Sequence, residues 1–295
     1  MIVYIVIVLA AGVAYYSLLS KYSELWSDVA ELADCNTQSF SVTILIPFRN
    51  EIKNLLTLLD SLEHLETAEH SVQVICINDH STDGGEQLIE NYQGKLDIRL
   101  IHQTERSGKT AAIRLGWEQC TSEIILQMDA DCILPAHWLR AMLSVFNNSV
   151  INLACGPVQF HHSANFWKRI VALDFEALIA IGAAHIQWGK PMICNAANLG
   201  YRRSLVSVAD LNDSTASGDD VFLLQSAYLK DVDSILFVKN KEAIVRTIGP
   251  SSFSSFWHQR LRSASKDVDY ESKQNTWIPD AYTHFRHHDT PEHLV

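Results

Sequence analysis

Residues 41–65 read SVTILIPFRNEIKNLLTLLDSLEHL. The first eight, SVTILIPF, are a short apolar, β-branched run closed by a proline. A run of this length without polar alternation predicts a strand buried on both faces. The period then changes. Leu55, Leu58, Leu59 and Leu62 fall on one face of a helix. Between the two lies a polar cluster, PFRNE at 47–51.

The strand–helix unit recurs. VQVICIND (72–79) is a second strand, and GGEQLIENYQG (84–94) is a short helix with glycines at both ends. DIRLIHQ (97–103) and GKTAAIRLGWEQC (108–120) repeat the pair. So do EIILQMDAD (123–131) and PAHWLRAMLSVF (135–146), whose helix opens on proline. INLACGPVQF (151–160) reads as a fifth strand. This alternation predicts an α/β fold: a single doubly wound, mostly parallel sheet with helices on both faces. In such sheets ligands bind beyond the carboxyl ends of the strands.

After about residue 160 the pattern loosens. Residues 165–186 form a long apolar helix, and Asp174 and Glu176 in its middle argue against a membrane span. PMICNAANLGYRRS (191–204) reads as strand and turn, and GDDVFLLQSAYLK (218–230) as a helix with acids at its start. DSILFVKN and EAIVRTI read as two strands, with a hairpin expected around KNKE. SSFSSFWHQRLRSASK (251–266) is an amphipathic helix, and residues 267–295 are a polar, histidine-rich tail.

The chain has 295 residues and a formal net charge of -11, so no basic face dominates and nucleic acid is not an expected partner. Its six cysteines are scattered singly, mostly inside apolar runs, which suits reduced, buried thiols rather than zinc or disulfides. The N-terminus stands apart. Residues 1–20 carry no side-chain charge, and Lys21 is the first. About 20 apolar residues span a bilayer, so this run is expected to be a transmembrane anchor. A cleaved signal peptide is the alternative, but no basic n-region precedes the run. Tyr15, Tyr16, Tyr22 and Trp26 suit the membrane interface. Residues 21–40 are expected to be a linker.

SGKT at 107–110 looks like the end of a phosphate-binding loop. A nucleoside-triphosphatase loop needs a glycine five residues before Gly108, where Gln103 stands. No dinucleotide fingerprint is present either. The chemistry is better read from the strand ends. PFRNE ends the first strand, NDHSTDGG the second and MDADC the fourth. Two aspartates one residue apart, Asp129 and Asp131, can hold Mg2+ or Mn2+ and leave other positions to a diphosphate. A solvated acidic turn is the plain alternative for any one of these clusters. Nothing in the dispersed histidines resembles a soft-metal site.

The order PFRNE, NDHSTDGG, GKTAAIRLG, MDADC, GDD, QRLRS resembles the inverting family 2 glycosyltransferases of GT-A fold, in their membrane-anchored bacterial form. The resemblance covers residues 41–266 and implies a nucleotide-binding half at 41–160. An acceptor half with an interface helix follows at 161–266. It implies that Pro47, Glu51 and Asp79 bind the nucleotide, with Asp83 in a supporting, capping role. Lys109 matches a lysine near the nucleotide, with a solvated first-turn lysine as the alternative. Asp129 and Asp131 match the DXD motif: Asp131 binds the metal, and Asp129 contacts the sugar-nucleotide and shares the metal site. SGDD matches the segment of the catalytic base, with Asp220 as base and Asp219 its neighbour. Two acids at a helix start are also favourable caps. Gln259 and Arg262 match a QxxRW motif that contacts the diphosphate, but Ser263 stands where that motif has tryptophan. Asn198 is a candidate acceptor contact, or a turn residue.

The resemblance thus implies metal-dependent, inverting hexosyl transfer from a nucleotide-diphosphate sugar, expected to be a UDP-sugar. The acceptor would be a glycan or lipid-linked molecule in polysaccharide biosynthesis. Such donors are cytosolic, so the catalytic domain is expected on the cytoplasmic face of the cell membrane. A degenerate, scaffold-like relative and a nucleotidyltransferase are the rival readings.

Overall fold

The structure is a computed structural model that describes residues 1–32, 38–104, 108–161, 165–206 and 219–266. The expected tail, 267–295, and part of the expected linker lie outside the described residues. Met1–Gly249 form one compact unit, and the chain from Pro250 belongs to a second.

In the first unit, β1 (Ser41–Phe48), β2 (Ser71–Asn78), β3 (Asp97–His102) and β4 (Ile124–Gln127) are the parallel strands expected from their apolar runs. They belong to a seven-stranded sheet of order β3-β2-β1-β4-β7-β5-β8. Strands β5 (Leu153–Cys155) and β8 (Ile235–Phe237) run parallel to each other, and β7 (Leu199–Arg202) lies antiparallel between β4 and β5. The chain builds β1, β2 and β3 in one direction and then returns to place β4 on the other side of β1. The switch point therefore lies between β1 and β4.

Helix α2 (Ile52–Glu63) buries Leu55, Leu58 and Leu62, three of the four leucines its spacing placed on one face. The crossover helices α3 (Gly85–Glu90), α4 (Lys109–Glu118) and α5 (Trp138–Leu143) follow β2, β3 and β4. Their buried residues join the two apolar layers around the sheet. Among the described residues, buried Cys76, Cys120, Cys132 and Cys155 and half-buried Cys194 are free thiols. Burial pushes Cys76 up to about 12 and Cys120 to about 11, so both are inert near neutral pH.

Two local expectations are corrected. Residues 151–160 are not one strand: β5 ends at Cys155, and β6 (Val158–Phe160) begins a separate two-stranded sheet. The hairpin around residues 239–242 does not form. β8 stays in the large sheet, whereas β9 (Val245–Thr247) pairs with β6 in parallel. A 3-10 turn at Lys241–Ala243, capped by the Asn240 side chain, redirects the chain between them. Strands of three residues carry too little periodicity to reveal their partners.

Helix α1 runs from Ile2 to Asp28, past the expected end of the anchor. An apolar stretch long enough to cross a bilayer is wholly unburied in it. Its last turns, by contrast, are built into the fold. Leu25 and Val29 are buried, and Trp26 packs edge-on against Phe237. Lys239 Nζ donates to the carbonyls of Trp26 and Val29, both at 3.1 Å, and so neutralises the helix C-terminus. Helix α6 (Phe166–Gln187) also has the length and composition of a span, but it packs on α1, β6 and β8.

The described part of the second unit is α8 (Phe253–Lys266) with its lead-in. Ser252 and Ser255 exchange side-chain and backbone hydrogen bonds that cap the helix. Phe253 stacks on Trp257, and both are exposed.

Candidate active site

The site starts with a strand that ends unevenly. The β1–β4 ladder stops at Leu45–Gln127, while β1 continues beside β2 to Phe48. Leu45 accepts from Met128 N–H, so residues of its parity face β4. Pro47 shares that parity, two residues beyond the last pair. Its missing N–H therefore leaves no ladder bond unmade. Pro47 is buried, and its contribution is to shape the strand end where the two neighbours part.

The loops after β1 and β2 are stitched together above this point. Asn50, in the left-handed region with φ 57, accepts from Thr82 N–H at 2.8 Å, and its own N–H donates to the Ser81 hydroxyl. Asp83 accepts from Ile52 N–H at 2.8 Å and Gly85 N–H at 3.0 Å. Burial alone would raise its carboxyl, but these backbone donors hold it below the ordinary value. Asp83 is thus the cap read from the sequence.

Asp79 follows β2 and is buried. One of its oxygens accepts from Gly108 N–H at 2.9 Å, and the other from His80 Nδ1 at 3.0 Å. Gly108 sits at φ 117, a conformation side chains with Cβ rarely adopt, and it opens α4. The next residue, Lys109, places Nζ 2.5 Å from Asp129 Oδ1. Two adjacent residues of the SGKT segment therefore join the acid after β2 to the acid after β4, across the end of β1.

Asp131 lies deeper. Its Oδ2 accepts from the Thr247 hydroxyl at 2.8 Å. Burial, and then Asp129, raise its carboxyl, against the Thr247 bond and Lys109. Glu51 is raised by burial, its hydrogen bond to Asn54 opposing, and by the fields of Asp131, Asp83 and Asp129. Glu51, Asp83, Asp129 and Asp131 thus share one region, with the Lys109 ammonium held at Asp129. Among the described residues no three metal-ligating side chains cluster. A divalent cation at Asp129 and Asp131 fits this hard, under-neutralised oxygen pair, provided substrate oxygens and water complete its shell.

The other sequence-marked residues belong to later elements of the chain. Asp219 and Asp220 open α7 (Asp219–Lys230), which packs on β5 and β8. The Cys194 thiol donates to the Asp220 carbonyl at 3.2 Å, tying this start to the segment after α6. The side chain of Asp219 lies outside the described residues, as do those of Arg262 and Ser263. Gln259 is half-buried in α8, within the second unit.

Asn198 lies in the interior. It is fully buried, its Oδ1 accepts from Trp138 Nε1 at 3.0 Å, and its amide donates to the Pro157 and Ala243 carbonyls, both at 2.8 Å. With every side-chain polar atom engaged, it ties three segments together.

Thr247 escaped the sequence reading because 116 residues separate it from Asp131 and only the β6–β9 pairing delivers it. Arg246 contributes by exchanging backbone hydrogen bonds with Ile133, which fixes the loop after Asp131. Arg49, 3.9 Å from Asp79, and His80 sit inside the quoted motifs, but the sequence reading gave them no role. A cavity lined by Trp26, Leu173, Phe237 and Ile244 lies elsewhere and contains none of these acids.

A doubly wound sheet with acids gathered at its switch point defines a nucleotide-binding α/β protein. The chain belongs to glycosyl transferase family 2, whose model matches residues 43–208. It is 34% identical over 159 residues to a dolichyl-phosphate beta-glucosyltransferase, ALG5C, of Trichomonas vaginalis, covering 48% of this chain and 47% of that one. The chain spans about half the length of the curated relatives it matches. Its GT-A fold is shared with the mannosyltransferase PcManGT of Pyrobaculum calidifontis, solved with GDP-Man and Mn2+. That match has a TM-score of 0.62 at 19% identity, over 88% of this chain and 72% of that one. Glucosyl-3-phosphoglycerate synthase of Mycobacterium tuberculosis, solved with Mn2+ and UDP-glucose, matches with a TM-score of 0.54 at 17% identity, over 78% of each chain.

Proposed function

We propose that this chain transfers a hexosyl group from a nucleotide-diphosphate sugar, a UDP-sugar in this reading, to a lipid-linked or glycan acceptor, with inversion. The observation that carries the proposal is the bridge from Asp79 through Gly108 and Lys109 to Asp129, beside Asp131 at the switch point. Asp79 and Glu51 bind the nucleoside, and Lys109 neutralises charge at the diphosphate when it exchanges Asp129 for the donor. Asp129 and Asp131 hold Mg2+ or Mn2+, which supplies positive charge to the leaving diphosphate. Asp220 takes the proton of the attacking hydroxyl, with Asp219 beside it, and Gln259 and Arg262 contact the diphosphate. The mycobacterial neighbour's UDP-glucose and Mn2+ support the donor and the metal, and the dolichyl-phosphate relative supports a lipid-linked acceptor.

In this proposal residues 1–20 are the membrane anchor, 41–266 the catalytic domain, and that domain faces the cytoplasm. Asp220→Asn tests the base. The variant should bind UDP as the wild type does and lose transfer; unchanged turnover would refute the role. Alkaline extraction of membranes tests the anchor: the full chain should stay in the membrane fraction, and its release would refute the span.

A further inference from the structure

The apolar stretch of α1 ends at Ser20, and Lys21 and Tyr22 follow. If residues 1–20 fill the hydrocarbon layer, Tyr22 lies at headgroup level. Tyr22 is not free to drift from the domain. Its hydroxyl hydrogen-bonds His185 Nε2 at 3.0 Å, and the rings lie 5.4 Å apart. His185 Nδ1 donates to the Lys190 carbonyl, which leaves Nε2 as the acceptor for Tyr22.

The His185 ring is in turn 5.9 Å from that of Trp188. There α6 stops in a Schellman turn: Gly189, at φ 70, donates to Ile186, and Lys190 N–H donates to the His185 carbonyl. The turn leaves Trp188 42% exposed and Ile193 42% exposed. Lys190 Nζ lies 4.7 Å over the Trp188 ring. The segment is held firmly against α6. A Cβ on Gly182 would stand 2.9 Å from the Ile193 carbonyl oxygen, so the close approach depends on glycine there. An exposed tryptophan two ring contacts from Tyr22, through His185, with a lysine laid across it and an exposed isoleucine nearby, make a composition suited to the membrane interface.

We propose that residues 188–193 form a second membrane contact, with Trp188 and Ile193 seated among the lipid headgroups beside α1. The proposal rests on the reading of α1 as a span. It has a consequence for the proposed chemistry. Cys194, next in the chain, holds the Asp220 carbonyl. The bilayer would then set the position of the first turn of α7 through two attachments, α1 and this segment. A tether alone would leave the domain free to rotate over the surface.

The test uses the full chain in vesicles of phosphatidylcholine and phosphatidylglycerol with brominated acyl chains, read by tryptophan fluorescence. Seven tryptophans are present, so an average one carries one-seventh of the emission. Trp188→Phe should remove more than that share of the bromolipid-quenchable emission, and Ile193→Trp should add to it. Loss of emission quenched only by aqueous acrylamide would overturn the contact. Quenching by neither agent would place the patch against protein and overturn it equally. Alkaline extraction of the same vesicles separates the two readings. A released chain overturns the span and the contact together, whereas a retained chain without the Trp188 and Ile193 effects overturns the contact alone.

Discussion

Lys109 Nζ lies 2.5 Å from Asp129 Oδ1, although the two residues belong to different crossovers of the sheet. The contact is half-open to solvent, so its value lies less in stability than in holding an ammonium where a diphosphate would arrive. Lys109→Ala should fold normally and lose a charge-assisted contact of about 1.5–3 kcal/mol, roughly 10- to 100-fold in kcat/KM. Steady-state kinetics with the nucleotide sugar checks this. Lys109→Arg should recover part of the loss.

Asp131 should be a residue that function keeps at a cost to stability. Its carboxyl is raised by burial and by Asp129, so the folded protein holds its proton more tightly than the unfolded chain. That contribution to stability is fully present below the ordinary carboxylate pKa and is lost as pH rises through the raised one. At neutral pH the ionised, metal-free site therefore destabilises the fold. Asp131→Asn should raise the Tm of metal-free protein at pH 7, and the gain should shrink as pH falls through that window. Mn2+ should raise the Tm of the wild type and not of the variant. Calorimetry with and without metal reads all three.

Thr247→Val removes the hydroxyl that donates to Asp131 while keeping the side-chain shape. Groups that orient a metal ligand typically matter by roughly 10- to 100-fold in metal affinity or activity. The variant should need about 10-fold more Mn2+ for half-maximal turnover, by that same measure, with kcat at saturating metal little changed. A metal titration of initial rates decides it.

Asn198→Ala should act through the fold. It leaves Trp138 Nε1 and the buried Ala243 carbonyl without this partner, while the Pro157 carbonyl keeps its bond from Val245 N–H, a loss of roughly 3 kcal/mol. Denaturant unfolding should show that loss. An acceptor contact would instead raise the acceptor KM and leave stability unchanged.

The parallel half of the fold was legible because its strands are long, apolar and each followed by a helix with leucine or alanine spacing, as at Leu55, Leu58 and Leu62. The acids at the strand ends were legible for the same reason, since the strands fixed their edge. The second sheet was not, because β6 and β9 are three residues each and distant in sequence. Thr247 went unseen with them. Asn198 stayed open between acceptor contact and turn residue because an asparagine in a turn looks the same whether it faces a ligand or bonds the interior. Only its burial distinguishes the two. Gly108 shows the opposite case: the lost phosphate-loop spacing already denied a cradle, and the positive φ with the N–H bond to Asp79 gives the residue its actual work.

The most direct test of the account is release of nucleoside diphosphate from a panel of UDP- and GDP-sugars, with and without Mn2+, by the full chain in membranes and by Asp131→Ala. The account predicts UDP release from one UDP-sugar that requires the metal and disappears in the variant. Turnover that persists in chelator, or in Asp131→Ala at the wild-type rate, would contradict it.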